Sequence, residues 1–253
     1  NRILKLYDLK LAGINQHIGS LFLTPDSYIK AAEELLKLAE KFHELEFVDF
    51  GGGFGIPYRK QEGEERLDLA LMGEELDALL DEWCNKTGRY IRFKIEPGRY
   101  VPAESGIILG RVHAVKTNNS TKFVGTDIGF NVLIRPAMYG SHHDIEVYRD
   151  GTIVDTGVDR GDGTISSASC NEKVTIVGNI CETGDVLAKD RLLPIINEND
   201  ILGIMDAGAY GYSMSSNYNN RLRPAEVLIR TDGSVSLIRR RDTFEDLTRN
   251  FDI

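Results

Sequence analysis

The sequence predicts an α/β region followed by a mainly antiparallel β domain. Two observations carry that division. Up to about residue 103, short apolar runs alternate with longer segments of helical periodicity, the rhythm of a parallel sheet with helices outside it. Beyond it, apolar runs of strand length follow one another with turn residues between them and no comparable helix. The expected domains are residues 1–103 and 104–253.

The elements follow in order. "LKLAGI" (9–14) reads as a strand. "TPDSYIKAAEELLKLAEKF" (24–42) reads as a helix, with Thr24 as cap and Pro25 at the first helical position. Tyr28, Ala32, Leu35, Leu36, Ala39 and Phe42 fall on one face of it. "LEFVDF" (45–50) is the next strand. "EELDALLDEWCNKTG" (74–88) is a helix with Leu76, Leu79, Leu80 and Trp83 on a stripe and Gly88 at its end. "YIRFKIEPG" (90–98) is a third strand, closed by Pro97. The later strands are "GIILGRVHAVKT", "TKFVGTDIG", "HDIEVY", "KVTIVGNI", "DILGIMDA", "AEVLIRT" and "SVSLIRRR". Three parallel strands do not close a barrel, which takes eight strand–helix units, so a barrel containing them would be entered midway.

Composition narrows the function. A net charge of -9 argues against an anionic polymer such as nucleic acid as the main partner. No apolar run approaches the roughly 20 residues of a membrane helix, and no secretory signal stands at the start. Three cysteines without framework spacing suggest free thiols in a reducing compartment, and so a cytoplasmic location. The adjacent His142 and His143 have no ligand-spaced cysteine or carboxylate beside them, so no metal is expected.

The chemistry gathers around "FGGGFGIPY" (50–58). Glycines after a strand let backbone N–H groups approach an anion, because no Cβ intervenes. The dinucleotide fingerprint fails, since its third glycine would fall at Ile56, and no Lys-Ser/Thr follows for a nucleotide P-loop. A tight turn is the plainer alternative. The other strand ends add His17 and Ser20, then Glu96 and Arg99. Strand C-terminal ends share one rim in a parallel α/β protein. An imidazole, a hydroxyl, bare amides, a carboxylate and a guanidinium would together suit pyridoxal phosphate. A local Glu96–Arg99 ion pair would explain two of them without any ligand.

"HIGS" (17–20), "GGGFGI" (51–56), "EPGRY" (96–100), "RPAMY" (135–139), "CETGD" (181–185) and "GAYGYSMSSNYN" (208–219) occur in that order. The set resembles the pyridoxal-phosphate decarboxylases built on an alanine-racemase-like barrel, over about residues 9 to 248. Within them it is most similar to members that act on meso-diaminopimelate, the last step of lysine biosynthesis. The resemblance implies the later part of a (β/α)8 barrel followed by an antiparallel β-sandwich or barrel domain. It implies that His17 stacks on the cofactor ring and that Ser20, Gly51, Gly52 and Gly53 contact the phosphate. Pro97 and Gly98 lie in the same cofactor motif, and Glu96 pairs with the ring nitrogen. Arg99, Arg135, Tyr139, Glu182 and Tyr210 match substrate-contact positions, and Tyr210 also reaches the phosphate. Cys181 matches a proton-returning cysteine. The "CETGD" segment implies a homodimer with shared sites.

On their own residues, Arg135 reads equally as a surface arginine in a loop, Tyr210 as core packing and Cys181 as a small buried hydrophobe. Cys84 reads as core, and Cys170 has no derivable role. The family's anchoring lysine, in a motif like Tyr-Ala-x-Lys-Ala, has no match; Lys10 and Lys94 lie on expected strands but outside that context. The expectation is therefore a portion of a longer decarboxylase, inactive alone. The alternatives are a related ornithine, lysine or carboxynorspermidine decarboxylase, or an inactive homologue that binds a partner.

Overall fold

The computed structural model describes residues 2–154 and 171–252, and the chain divides into two compact units, residues 1–103 and 104–253. The first unit contains α1 (Arg2–Leu6), β1 (Gly13–Asn15), α2 (Asp26–Ala39), β2 (Phe47–Asp49), α3 (Leu69–Thr87) and β3 (Arg92–Lys94). The strands form a parallel sheet in the order β1-β2-β3, with Asn15, Asp49 and Lys94 level at their C-terminal ends. Lys10 lies ahead of β1 and pairs with Glu46 at 3.2 Å. Lys94 is on β3, its ammonium 3.8 Å from the Phe47 ring centroid.

α2 buries Tyr28, Ala32, Leu35, Leu36 and Ala39, the face expected from periodicity, and Phe42 packs against the same core. α3 begins at Leu69, five residues earlier than the sequence suggested. The reason is Asp68, whose side chain accepts from Leu71 N at 3.0 Å and caps the helix. Gly88 ends it in the left-handed conformation, φ 66°. The two helices are joined through Trp83, which donates its indole N–H to Leu36 O at 3.1 Å. Cys84 is buried beside it, and burial pushes its thiol pKa up.

The second unit contains β4 (Ile108–Asn118), β5 (Thr121–Thr126), α4 (Arg135–Tyr139), β6 (Ile145–Arg149), β7 (Thr152–Val154), β8 (Asn171–Val177), β9 (Val186–Pro194), β10 (Ile201–Ile204), β11 (Glu226–Ile229), β12 (Val235–Arg239) and α5 (Phe244–Thr248). Seven strands make one sheet in the order β7-β6-β10-β4-β5-β8-β9, and β11 and β12 form a separate hairpin. Every pairing in the seven-stranded sheet is antiparallel except β5–β8. β7, β9, α4 and α5 were not expected. Val112, Val124, Val147, Ile176, Leu202 and Ile204 are at the centre of its core. Arg149 grips Asp200 with Nε and Nη2 at 2.9 and 2.7 Å, tying the end of β6 to the turn before β10. Among the described residues no helix is long and apolar enough to cross a membrane.

Candidate active site

In the first unit the three strand ends deliver their loops side by side, stitched by backbone bonds. Gln16 N donates to Asp49 O (3.1 Å), Phe50 N to Lys94 O (2.9 Å) and Glu96 N to Gly51 O (2.8 Å). The glycines are what permit this. A Cβ on Gly51 would lie 2.0 Å from Gln16 O, on Gly52 2.2 Å from Glu96 O, and on Gly53 2.3 Å from Gly19 O. Gly51 and Gly53 also have positive φ, 73° and 106°. So the glycine run first serves loop-to-loop clearance, a role that sequence reasoning did not separate from ligand approach.

Asp49 and Tyr28 hold the run in place, and neither was anticipated. Asp49 Oδ1 accepts from Gly51 N at 2.9 Å, so that amide is already spent. The signal was legible: an Asp two residues before a turn glycine makes this local bond readily. The Tyr28 hydroxyl, fully buried, donates to Gly51 O at 3.1 Å. Burial pushes its pKa up, with the Asp49 and Glu96 carboxylates acting in the same sense, so it remains a protonated donor. Gln16 Nε2 is buried without an acceptor among the described residues, and no protein acceptor meets the Gly52 and Gly53 N–H groups there. His17, Ser20, Glu96 and Gly98 are exposed and Pro97 half-buried on these loops. Arg99 Nη1 donates to the Tyr58 hydroxyl at 3.1 Å.

The second unit places the remaining residues. Arg135 opens α4 with Pro136 in the first turn, and it is only 2 % exposed, so the surface-loop alternative fails. Arg135 Nη1 donates to His143 Nε2 at 2.9 Å, and His143 Nδ1–H donates to Met205 O at 2.8 Å, which fixes the neutral imidazole tautomer. His142 bonds Asp144 through Nε2 at 3.0 Å and accepts from Arg191 through Nδ1 at 3.2 Å. The histidine pair is thus occupied by hydrogen bonds. Among the described residues no group of three His, Cys, Asp or Glu could hold a metal ion.

Tyr139, Cys181 and Glu182 are exposed. Cys181 and Glu182 sit on a tip closed by Glu182 N to Ile180 O (2.9 Å) and Asp185 N to Glu182 O (3.1 Å). Cys181 is a free thiol at the surface, not a buried hydrophobe. Tyr210 is 41 % exposed, against a core-packing reading, and its φ of 67° is uncommon for a tyrosine and typical of functional loops. Cys170 lies outside the described residues.

One depression, of about 510 Å³, is lined by Leu9, Leu11, Lys41 and Phe42 among others. Its lining residues, Lys10 among them, precede β1 and β2, so it belongs to the strand-entry side and includes none of the loop residues just described.

A family model described as "Pyridoxal-dependent decarboxylase, C-terminal sheet domain" matches residues 6–208. The chain belongs to that pyridoxal-dependent family. Its relatives are more particular. It is 43 % identical over 243 residues to the diaminopimelate decarboxylase of Methanothermobacter thermautotrophicus, covering 94 % of this chain and 52 % of that protein. Among solved structures, diaminopimelate decarboxylase from M. jannaschii with L-lysine superposes with a TM-score of 0.81 at 32 % identity, covering 100 % of this chain and 55 % of that one. The Helicobacter pylori enzyme with L-lysine gives 0.78 at 31 % identity, covering 95 % and 54 %. The chain spans about half the length of the relatives it matches.

Proposed function

We infer that this chain is the later part of a pyridoxal-phosphate-dependent enzyme that removes the α-carboxylate of meso-diaminopimelate, giving L-lysine and carbon dioxide. The observation that carries the reading is the stitched rim of the first unit. Its strand ends bring an imidazole, a hydroxyl, unclaimed glycine amides and a carboxylate into one neighbourhood. The fit to the cofactor rests on the buried, unpartnered Gln16 Nε2 and the amides of Gly52 and Gly53, which are donors awaiting an anion. The amide of Gly51, already given to Asp49, acts on the loop's shape instead.

The cofactor, when bound, supplies the electron sink that decarboxylation requires. Ser20, Gly52 and Gly53 hold its phosphate, and His17 lies against its ring. Glu96, in the "EPGR" turn with Pro97, Gly98 and Arg99, keeps the ring nitrogen protonated by charge pairing. Arg99 and Arg135 offer planar forks to the substrate carboxylates, and Tyr139 and Tyr210 take a binding role. Glu182 accepts the distal ammonium. Cys181 holds the proton that replaces the departing carboxylate. The three parallel strands are part of a (β/α)8 barrel, and the second unit is the family's β-sandwich or barrel domain. The enzyme is a homodimer with shared sites in a reducing, cytoplasmic compartment.

A distal carboxylate separates diaminopimelate from ornithine and lysine. A site built for it leaves arginines unpaired with the other two, a large penalty. Carbon dioxide release by the full-length protein with each of the three substrates tests this. Release from diaminopimelate alone is expected; equal rates with ornithine or lysine would refute it, and no release from any would favour a binding role.

A further inference from the structure

Asp185 is 4 % exposed, and both its oxygens are given to backbone amides. Oδ1 accepts from Phe130 N and Oδ2 from Ile180 N, each at 2.7 Å. The two donors come from different loops. One is the segment that leads into α4, and the other is the stem of the Cys181–Gly184 tip. Glycines on each loop allow the fit: a Cβ on Gly178 would meet Asp185 Oδ2 at 2.3 Å, and one on Gly129 would meet the Ile180 side chain at 2.6 Å. Beside Phe130, the buried Asn131 extends the tie. Its carbonyl accepts from Ser216 N at 2.8 Å and its Nδ2 donates to Ser216 O at 3.4 Å. Burial pushes the Asp185 pKa up, opposed by the Ile180 and Phe130 amides and by the Arg221 charge. A carboxylate kept in such a place is costly unless its bonds are needed.

We propose that Asp185 is a positioning residue: its carboxylate locks the Cys181–Gly184 tip to the loop before α4, so that Cys181 and Glu182 are held in one fixed presentation. The proposal rests on the reading that Cys181 and Glu182 serve the decarboxylation. Asn in place of Asp keeps the shape but has one acceptor end, so one of the two amides then faces an NH2 group. Gly178→Ala attacks the same carboxylate from a separate segment.

The test is made on the full-length protein with four variants. Asp185→Asn and Gly178→Ala should each raise amide hydrogen exchange at Phe130 or Ile180 by about tenfold or more. Each should also lower kcat about tenfold, with a smaller change in KM. Val174→Ala, a core truncation in the same unit, should lower the melting temperature while leaving local exchange and kcat near the parent values. Exchange unchanged in both variants overturns the lock. Faster exchange with unchanged kcat overturns the positioning role. Full activity in Cys181→Ala refutes the underlying site reading instead, so the two failures are distinguishable.

Discussion

Replacing Gly52 with alanine isolates the clearance that builds the rim. Gly52 lacks the positive φ of Gly51 and Gly53, so the backbone accepts alanine and the cost is steric alone. The new Cβ would lie 2.2 Å from Glu96 O, and that carbonyl must retreat by about 1.2 Å to reach ordinary contact at 3.4 Å. It is a backbone atom, held by the Glu96 N–Gly51 O bond at 2.8 Å, so no side-chain rotation relieves it. Overpacking of this kind costs about 1–3 kcal/mol, and weakening that bond adds about 1 kcal/mol, together about 2–4 kcal/mol. The shift also moves Glu96, so pyridoxal phosphate should bind at least about tenfold more weakly. The assays are the chemical-unfolding midpoint and titration of the apo protein with the cofactor by absorbance. Gly73→Ala is the control. Gly73 is an exposed residue inside α3, and a methyl added there would meet nothing within 4 Å. That change should stabilise by about 0.5–1 kcal/mol. A Gly52→Ala protein with the parent midpoint and cofactor affinity would refute the need for a bare backbone at this position.

Three further outcomes are expected. Glu96→Ala should leave the unfolding midpoint within about 0.5 kcal/mol of the parent, because the side chain is exposed, yet abolish most turnover of the full-length enzyme; near-normal kcat would sink its assigned role. Burial pushes the Asp200 carboxyl up, but the Arg149 fork and Asn197 N outweigh it, so its folded pKa lies below the usual 3.8. Its stabilisation is therefore present above pH 3.8 and lost as pH falls through the lower folded value. Asp200→Asn should remove that acid dependence and cost about 1.5–3 kcal/mol at neutral pH, read from unfolding midpoints against pH. Trp83→Phe removes the indole bond to Leu36 O, which keeps its bond from Glu40 N at 3.2 Å, so thermal unfolding should register a loss of about 0.5–1.5 kcal/mol; an unchanged melting temperature would show that the indole bond adds no net stability.

What was legible depended on range. The buried face of α2 followed from residue spacing, because a helix repeats its orientation locally. Seven of the later strands announced themselves by apolar runs between turns. β9 did not, since Lys189, Asp190 and Arg191 interrupt its apolar residues. Its place is set by pairing with β8, which no local pattern encodes. Arg135 was read as a loop residue because of the following proline, although proline is equally at home in a helix's first turn. Asp185 closes the "CETGD" motif, but nothing local announced its burial or that of Asn131. A polar residue's burial is decided by segments tens of residues away, here Phe130 and Ser216. The glycine run was recognisable as special, but its clearance against Gln16, Glu96 and Gly19 required the neighbouring loops to be seen.

The strand order of the second unit has a consequence for how the chain assembles. β4–β5, β6–β7 and β8–β9 are each antiparallel neighbours in sequence, so each can zip up locally as it emerges. β5 and β8 then join across a long connection, giving one patch of four strands, while β6 and β7 form another. Only β10, four residues long and the last of the seven to be made, lies between β6 and β4 and pairs with both. It is the keystone: until Ile201–Ile204 leaves the ribosome, the two patches have open edges and no strand ladder in common. A chain stopped before residue 200 would hold two half-sheets, and completion of this unit is necessarily a late event in its synthesis.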